Sequence, residues 1–356
     1  MYYDILFPFV RSDFGGSYVS ASILIRELQS SGHEITVVLP WKGVAFDYFI
    51  KNEITPILLW GGRPYNSSSF FWKIFILSYM LFSASFYLFR NNFDLIHCND
   101  DRSILLWGLL AKVFRIKTVW HLRNSVASKY DLIRCKLSDK VISVSKYTSS
   151  RLGNSIVNHV IYNPVYFNKT LKFSSIQHRE IFHDPNLSVL LHIGRDVSGK
   201  RLDWSIAACI KLAEQVESNI KLLVIGSPQK KIINIPLNLS IDFIEHLPNI
   251  YLYLMNCDLV LHPSNGSKFG LDRVLQECIV LNKQCICTDT GANIELSKFS
   301  DKLYYSLDNK ISFINLVTDT FIRCKNLPNS LVQKSLFDKS KHCLEVMSVY
   351  NEILKR

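Results

Sequence analysis

Short apolar runs alternate with amphipathic stretches along the whole chain, the pattern of a parallel sheet wrapped by helices. In the first half the spacing predicts strands over Asp4–Pro8, Glu34–Leu39, Leu95–Cys98, Lys117–His121, Lys140–Val144 and Val160–Tyr162. Helices are predicted between them over Ser17–Ser31, Ser69–Arg90, Arg102–Phe114 and Lys146–Leu152. In the second half strands are predicted over Ser188–Ile193, Lys221–Ile225, Ile241–Ile244, Leu259–His262 and Gln284–Thr288, with helices over Leu202–Glu217, Ile250–Met255 and Leu271–Leu281. The same alternation thus occurs twice, and a polar stretch from Asn163-Pro164 to about Asn186 separates the halves. The fold class expected is α/β, two Rossmann-like doubly wound domains at residues 1–165 and 166–340 facing across a cleft. The segment Leu331–Arg356 is helical in pattern, and residues 341–356 are expected as a C-terminal helix able to pack back on the first domain. Ligands of such sheets bind beyond the C-terminal ends of the strands, so functional residues are sought immediately after strands.

Composition narrows the partners. A chain of 356 residues fits two domains of roughly 150–200 residues each. Basic side chains outnumber acidic ones, 41 to 30, and the resulting +11 favours a negatively charged partner such as nucleotide or lipid phosphate. No Lys/Arg-rich cluster interleaved with aromatics occurs, so nucleic acid is not expected. The nine cysteines form no CxxC pair and read as buried reduced thiols, which suits a cytoplasmic protein. The N-terminus lacks a signal peptide's positive start and long apolar core, and reads as a first strand. Phe70 to Phe89 is apolar with Lys73 as its only charge, long enough to span a bilayer. Spanning would put strands of one sheet on opposite sides of the membrane. A buried domain helix and an in-plane helix docked on an anionic membrane surface are the other readings.

Several strand ends carry chemistry. Gly15-Gly16 precedes a predicted helix N-terminus, where a ligand can approach the backbone and an anion is favoured. Gly194-Arg195-x4-Lys200 follows the apolar run Val189-Leu190-Leu191. Arg195 offers a planar fork for phosphate oxygens and Lys200 a mobile point charge, so the pair could neutralise a diphosphate leaving group. A second glycine-bearing loop, Pro263 to Gly270, leads into a helix; Ser267, Phe269, Gly270 and Asp272 are candidate donor-binding positions there, and Glu277 could accept hydrogen bonds from a ribose diol. His121 can bond a substrate hydroxyl. His97-Cys98-Asn99-Asp100-Asp101 fits no zinc spacing and reads as acceptor-side lining or structure. Neither a Gly-x-Ser-x-Gly elbow nor a Walker P-loop is present, which disfavours a common hydrolase or an ATPase.

The order of these motifs resembles glycosyltransferase family 4, retaining enzymes of the GT-B fold, over almost the whole chain. The first half supplies Gly15-Gly16, Gly32-His33-Glu34, Phe93-Asp94-Leu95-Ile96-His97, Ser138-Asp139-Lys140 and Asn163-Pro164; the second supplies Gly194-Arg195-x4-Lys200, Asp258 to Ser264, Glu277 and Thr288-Asp289-Thr290-Gly291. The resemblance implies that Arg195 and Lys200 bind the donor diphosphate and Glu277 the ribose. It implies further that Gly16 approaches the diphosphate and His121 contacts the transferred hexose, with no metal or other cofactor. One departure stands out: the family's second carboxylate, eight residues before Glu277, falls on Phe269, or on Ser267 if two extra residues are allowed, and Asp272 is the nearest acid. The expected activity is retaining transfer of a sugar from a nucleotide sugar to an acceptor hydroxyl. The expected acceptor is a lipid-linked saccharide of surface polysaccharide (O-antigen or capsule), met at the inner face of the cytoplasmic membrane. The alternatives are a catalytically impaired binding subunit of a glycosyltransferase complex and a nucleotide-sugar epimerase.

Overall fold

The computed structural model describes residues 2–11, 14–60, 70–153, 156, 158–167, 182, 184–230, 232–245, 247, 250–267, 269–324 and 336–354, with side chains in the third helix described from residue 74. Much of the expected linker, at 168–181 and 183, lies outside the described residues, as do Ser69, Lys268 and residues 331–335 of the C-terminal segment. The chain divides into two compact units: residues 1–164 with 336–356, and residues 165–335.

The first unit begins β1 (Asp4–Pro8), α1 (Gly16–Ser30), β2 (Glu34–Leu39), α2 (Val44–Lys51), β3 (Ile57–Leu58) and α3 (Phe70–Arg90). It continues with β4 (Leu95–Cys98), α4 (Ser103–Phe114), β5 (Lys117–Leu122), α5 (Asp131–Leu137), β6 (Lys140–Ser143), α6 (Lys146–Ser150) and β7 (His159–Val160). The second unit holds β8 (Leu187–Ile193), α7 (Leu202–Ala213), β9 (Asn219–Ile225), β10 (Leu239–Ile244), α8 (Tyr251–Asn256), β11 (Leu259–His262) and α9 (Arg273–Leu281). It ends with β12 (Cys285–Thr288), α10 (Ala292–Glu295), β13 (Leu303–Ser306) and α11 (Lys310–Cys324), after which α12 (Lys339–Leu354) belongs again to the first unit.

Both sheets are parallel throughout, in the order β3-β2-β1-β4-β5-β6-β7 and β10-β9-β8-β11-β12-β13. Parallel strands are covered on both faces, which is why Leu95–Cys98, Leu259–His262 and Cys285–Thr288 are buried at every position. In each sheet the strand order reverses once, between β1 and β4 and between β8 and β11. Those reversals are where doubly wound sheets open a crevice for ligands. These are two Rossmann-like domains.

In the first unit α1 packs with α12 over one face of the sheet: Leu24, Ile25 and Leu28 share a core with Val346, Val349 and Tyr350, and Lys339 pairs with Glu27 at 2.6 Å. Across the other face Trp107 and Trp120, both fully buried, anchor a second cluster with Ala84 and Leu88 of α3. The apolar run Phe70–Phe89 is thus a helix that buries only part of its surface. Phe82, Phe86 and Phe89 are 72%, 51% and 79% exposed, and Leu59, Tyr79, Phe82, Ser83, Phe86 and Arg90 line a groove of about 300 Å³. Among the described residues no helix is long and apolar enough to cross a membrane.

Several strand boundaries move by one or two residues relative to the sequence expectation, β6 ending at Ser143 and β8, β9 and β10 starting earlier among them. β5 runs one residue further, through Leu122, so His121 lies inside the strand with no exposed surface instead of ending it. β7 ends at Val160 instead of reaching Tyr162. Cys98, Cys135, Cys209, Cys257, Cys278, Cys285, Cys287 and Cys343 are free thiols.

Candidate functional site

The sheet reversal of the second unit is where the candidate donor residues gather. β8 ends at Ile193, and Gly194 and Arg195 follow it directly. Arg195 is exposed. The chain then makes a 3-10 turn over Ser198–Lys200 that carries Lys200 across to the end of β11. There Lys200 Nζ donates to Ser264 Oγ at 3.0 Å and to Asp272 Oδ1 at 2.5 Å, with the Phe269 ring centroid 4.5 Å away. Gly194 makes room for this: a Cβ at that position would press on Lys200 Cγ and Cδ at 3.3 and 3.4 Å. The backbones are pinned as well, Asn265 N–H donating to the Gly199 carbonyl at 2.9 Å.

Asp272 is the N-cap residue of α9, 8% exposed in its side chain, and its second oxygen lies 3.0 Å from His262 Nε2 in a contact bent away from hydrogen-bond geometry. Burial by itself would raise the Asp272 carboxyl, but the Lys200 ammonium and His262 outweigh burial and hold it well below the usual carboxylate range. Its negative charge is therefore fixed beside Lys200. Burial lowers His262, and Asp272 beside it offsets part of that.

Of the other expected donor residues, Gly270 is buried and Ser267 is exposed, its N–H bonded to Asn265 Oδ1 at 3.0 Å. Glu277 faces inward at 5% exposure and accepts from Arg273 Nε at 2.7 Å, one turn earlier on α9. Burial pushes its carboxyl up, and Arg273 offsets part of that. Lys200 thus touches both Phe269 and Asp272, whereas Glu277 is engaged with Arg273. The Ser264 loop is braced from behind: Thr288 Oγ1 donates to the Ser264 carbonyl at 2.6 Å and Asn293 Nδ2 at 3.0 Å. Gly266 and Gly291 sit backbone to backbone, and a Cβ on either would collide with the other loop.

The first unit carries the remaining expected positions. Gly15 is the extended N-cap residue of α1 and Gly16 its exposed first residue. A Cβ at Gly15 would meet nothing within 4 Å, so neither its backbone angles nor packing within the unit demands glycine there. His121 is fully buried with Nδ1 3.2 Å from His97 Nε2 and 3.3 Å from Arg123 Nη2. Tyr350 Oη stands 2.6 Å from His97 Nδ1, and His342 Nδ1 2.8 Å from the Tyr162 carbonyl. Arg123 also donates to Asn99 Oδ1 at 2.8 Å and Asn163 Oδ1 at 2.6 Å. Burial first, and the Arg123 charge second, push His97, His121 and His342 down, His342 to about 3. All three rings are neutral near pH 7.

Sequence reasoning missed Ser264, His342 and Tyr350 as parts of these clusters. A signal existed for the last two: His342 and Tyr350 fall eight apart on the apolar stripe of α12 with Val346 between them. Arg151, Asp131, Arg134 and Asp101 form a buried ion network that ties the loops after β4 and β5 to α5 and α6, Arg151 meeting Asp101 at 2.8 Å. Among the described residues no group of three or more His, Cys, Asp or Glu is arranged to hold a metal ion.

Residues 14–168 match the model described as Glycosyltransferase Family 4, and residues 174–302 match Glycosyl transferases group 1. The chain is 26% identical over 245 residues to an uncharacterized glycosyltransferase of Methanocaldococcus jannaschii, covering 65% of this chain and 65% of that protein's length. It is 26% identical over 318 residues to the N-acetyl-alpha-D-glucosaminyl L-malate synthase of Bacillus anthracis, covering 82% of this chain and 80% of the other. The fold is shared with Anabaena HepE, solved with UDP and glucose, at a TM-score of 0.72 and 16% identity over 98% of this chain and 99% of that one. Two glycosyltransferase models matched in succession, on two parallel sheets that each reverse once, give one conclusion: the chain is a glycosyltransferase of the family 4 type.

Proposed function

We propose that the chain moves a sugar from a nucleotide sugar to an acceptor hydroxyl with retention at the anomeric carbon, and that Lys200 and Arg195 receive the leaving diphosphate. The observation that carries this is the Lys200 ammonium held at the β8/β11 reversal by Ser264 and Asp272, with Arg195 exposed six residues after Val189 on the same strand end. As the bond from the anomeric carbon to the diphosphate oxygen breaks, its electron pair leaves with the oxygen and the sugar becomes oxocarbenium-like. Cations already in place stabilise that charge without reorganisation. The acceptor hydroxyl attacks from the same face and gives up its proton. Side chains supply the neutralisation, so transfer is expected to continue in a metal chelator.

In this reading Gly16 and Gly194 let the diphosphate approach the backbone, Glu277 holds the ribose after exchanging its Arg273 contact, and His121 meets the transferred sugar. Asp272 stands nearest the position where the family's other acid is missing. The acceptor proposed is a lipid-linked saccharide of surface polysaccharide, met at the anionic inner face of the cytoplasmic membrane. The exposed aromatic face of α3 and the +11 charge support that part. Similarity to a protein solved with UDP and glucose makes UDP-glucose a first donor to try.

The test is transfer from labelled nucleotide sugars by the wild type and by Lys200→Ala and Arg195→Ala. Each variant is expected to lose about 100-fold or more in turnover, the scale of removing one donor to a developing anion. Near-normal rates in both would sink the assignment. A second reading, a binding subunit without catalysis, is favoured by Phe269 standing where an acid is expected; donor binding without transfer to any acceptor would select it.

A further inference from the structure

An aspartate at the start of a helix ordinarily accepts from the backbone N–H groups of the first turn. Asp272 is the N-cap residue of α9, yet its side chain caps none of them. One carboxylate oxygen is turned to Lys200 Nζ at 2.5 Å and the other to His262 Nε2 at 3.0 Å. That second oxygen and His262 Nε2 have no hydrogen-bond partner among the described residues, their mutual contact being too bent to serve as one. Lys200 keeps 15% of its side chain exposed and His262 only 1%, so a dissolved anion can reach the ammonium but not the ring.

This arrangement constrains what happens when a diphosphate arrives. The diphosphate needs the Lys200 charge, and whatever it draws away leaves a buried carboxylate short of a counter-ion, a state that proteins avoid. Besides Asp272 and Lys200, the titratable groups around His262 are His192 and Cys287. His192, on the neighbouring strand β8, has Nδ1 2.9 Å from Ser205 Oγ, and burial with the charges of His262 and Lys200 pushes that ring down to about 3. Cys287, on β12, is paired in register with His262, and burial pushes its thiol well up. Neither supplies a positive charge near neutrality. His262 does touch the oxygen that Lys200 does not.

We propose that His262 is the reserve counter-ion of Asp272: when the donor diphosphate draws on Lys200, one proton passes from the buffer to the His262 ring, whose Nε2–H then donates to Asp272 Oδ2. His262 and Asp272 are thus positioning residues that act through Lys200. This rests on the transferase reading above and adds a proton to its donor-binding step. Asp272, held by the imidazolium, stops competing for the ammonium, which is left to the departing diphosphate as charge builds there. Burial lowers the free ring, and Asp272 raises it once Lys200 is engaged elsewhere. Between those two values binding takes up a proton, so donor affinity falls as pH rises through that window.

The experiment is calorimetry of UDP-glucose, UDP-N-acetylglucosamine and GDP-mannose binding to the full chain, in buffers of different ionisation enthalpy between about pH 7 and 8.5. Their diphosphates are esterified at both ends, so none gains or loses a proton of its own in that range. The wild type is expected to take up a proton, its affinity falling up to about tenfold per pH unit. His262→Gln, polar but unable to titrate, should bind about tenfold more weakly near pH 7, with neither uptake nor slope. Asp272→Asn removes the charge that needs a partner and should also bind without uptake, which keeps the test open if the Gln variant does not fold. In the Asp272→Asn background, adding His262→Gln should change affinity less than about twofold. Wild-type binding without uptake, uptake that persists in either variant, or an equal loss from His262→Gln in both backgrounds overturns the proposal and leaves the transferase reading standing. A wild-type chain that binds none of the three nucleotide sugars overturns that reading itself.

Discussion

Lys200 is neutralised before any phosphate arrives. The Asp272 carboxylate at 2.5 Å is its counter-ion, and an incoming diphosphate must compete with it or join it. Asp272→Asn removes that competitor while keeping the shape. Diphosphate affinity is expected to rise about tenfold at low salt, the gain shrinking as salt screens it. Turnover is expected to fall, because Lys200 loses the partner that orients it. Calorimetry alongside kinetics checks the split, and equal affinity in both proteins would show that Asp272 does not compete. Gly194 and Lys200 could be picked out from their place after an apolar run. Asp272 as the partner of Lys200 could not, since 72 positions separate them and only the fold joins β8 to the start of α9. Phe269 was visible as a missing acid, but not as the ring beneath an ammonium.

Asp4 provides a residue-level test of stability. Burial, helped by the nearby Glu34 and Asp94 charges, raises its carboxyl to about 6. An unfolded aspartate titrates near 3.9, so between about pH 4 and 6 the folded chain keeps a proton that the unfolded chain has lost. Stability from this group therefore falls as pH rises through that window, and the penalty is complete above about 6. Asp4→Asn is expected to melt higher than wild type at pH 7 and alike at pH 4; melting curves across that range decide it.

Among the elements, α10 and the Ser264 loop depend on two glycines. Gly291 has φ +51°, a left-handed conformation that disfavours a side chain, and its added Cβ would strike the Gly266 backbone. Gly291→Ala is expected to cost about 2–4 kcal/mol in denaturant unfolding and to loosen the bracing of Ser264. A loss under about 0.5 kcal/mol would mean that the two loops adjust freely. Long apolar strands and amphipathic helices were readable from the sequence because burial on both faces leaves an unbroken run. β3, with two residues at the sheet edge, leaves almost none. β13 reads Leu-Tyr-Tyr-Ser and is only partly buried at its centre. α11 is rich in Ile, Val, Thr and Phe, which favour strands over helices, and its helical state comes from packing Phe313, Val317 and Phe321 into the second unit's core. α2 and α5 were missed for a related reason: each has too few turns for a period to emerge.

For the molecule as a whole, the +11 charge and the apolar outer face of α3 act in the same direction. Binding to phosphatidylglycerol vesicles is expected at low salt, weakening as salt rises. The double substitution Phe82→Glu with Phe86→Glu should reduce it at least tenfold, because both rings are exposed and neither is needed by the core. Co-sedimentation measures this, and full binding by the double variant would remove α3 from the account.

The return of the chain to its first unit sets an order of events during synthesis. Residues 165–335 form the second unit before residue 336 re-enters the first, so a nascent chain can finish the second unit while the first still lacks α12. Until then Leu24, Ile25 and Leu28 have no cover from Val346 and Val349, and the His97 imidazole waits for Tyr350. A chain stopped after residue 335 would keep the second unit and leave the first with an open core, so the loss of α12 falls on the unit that is translated first.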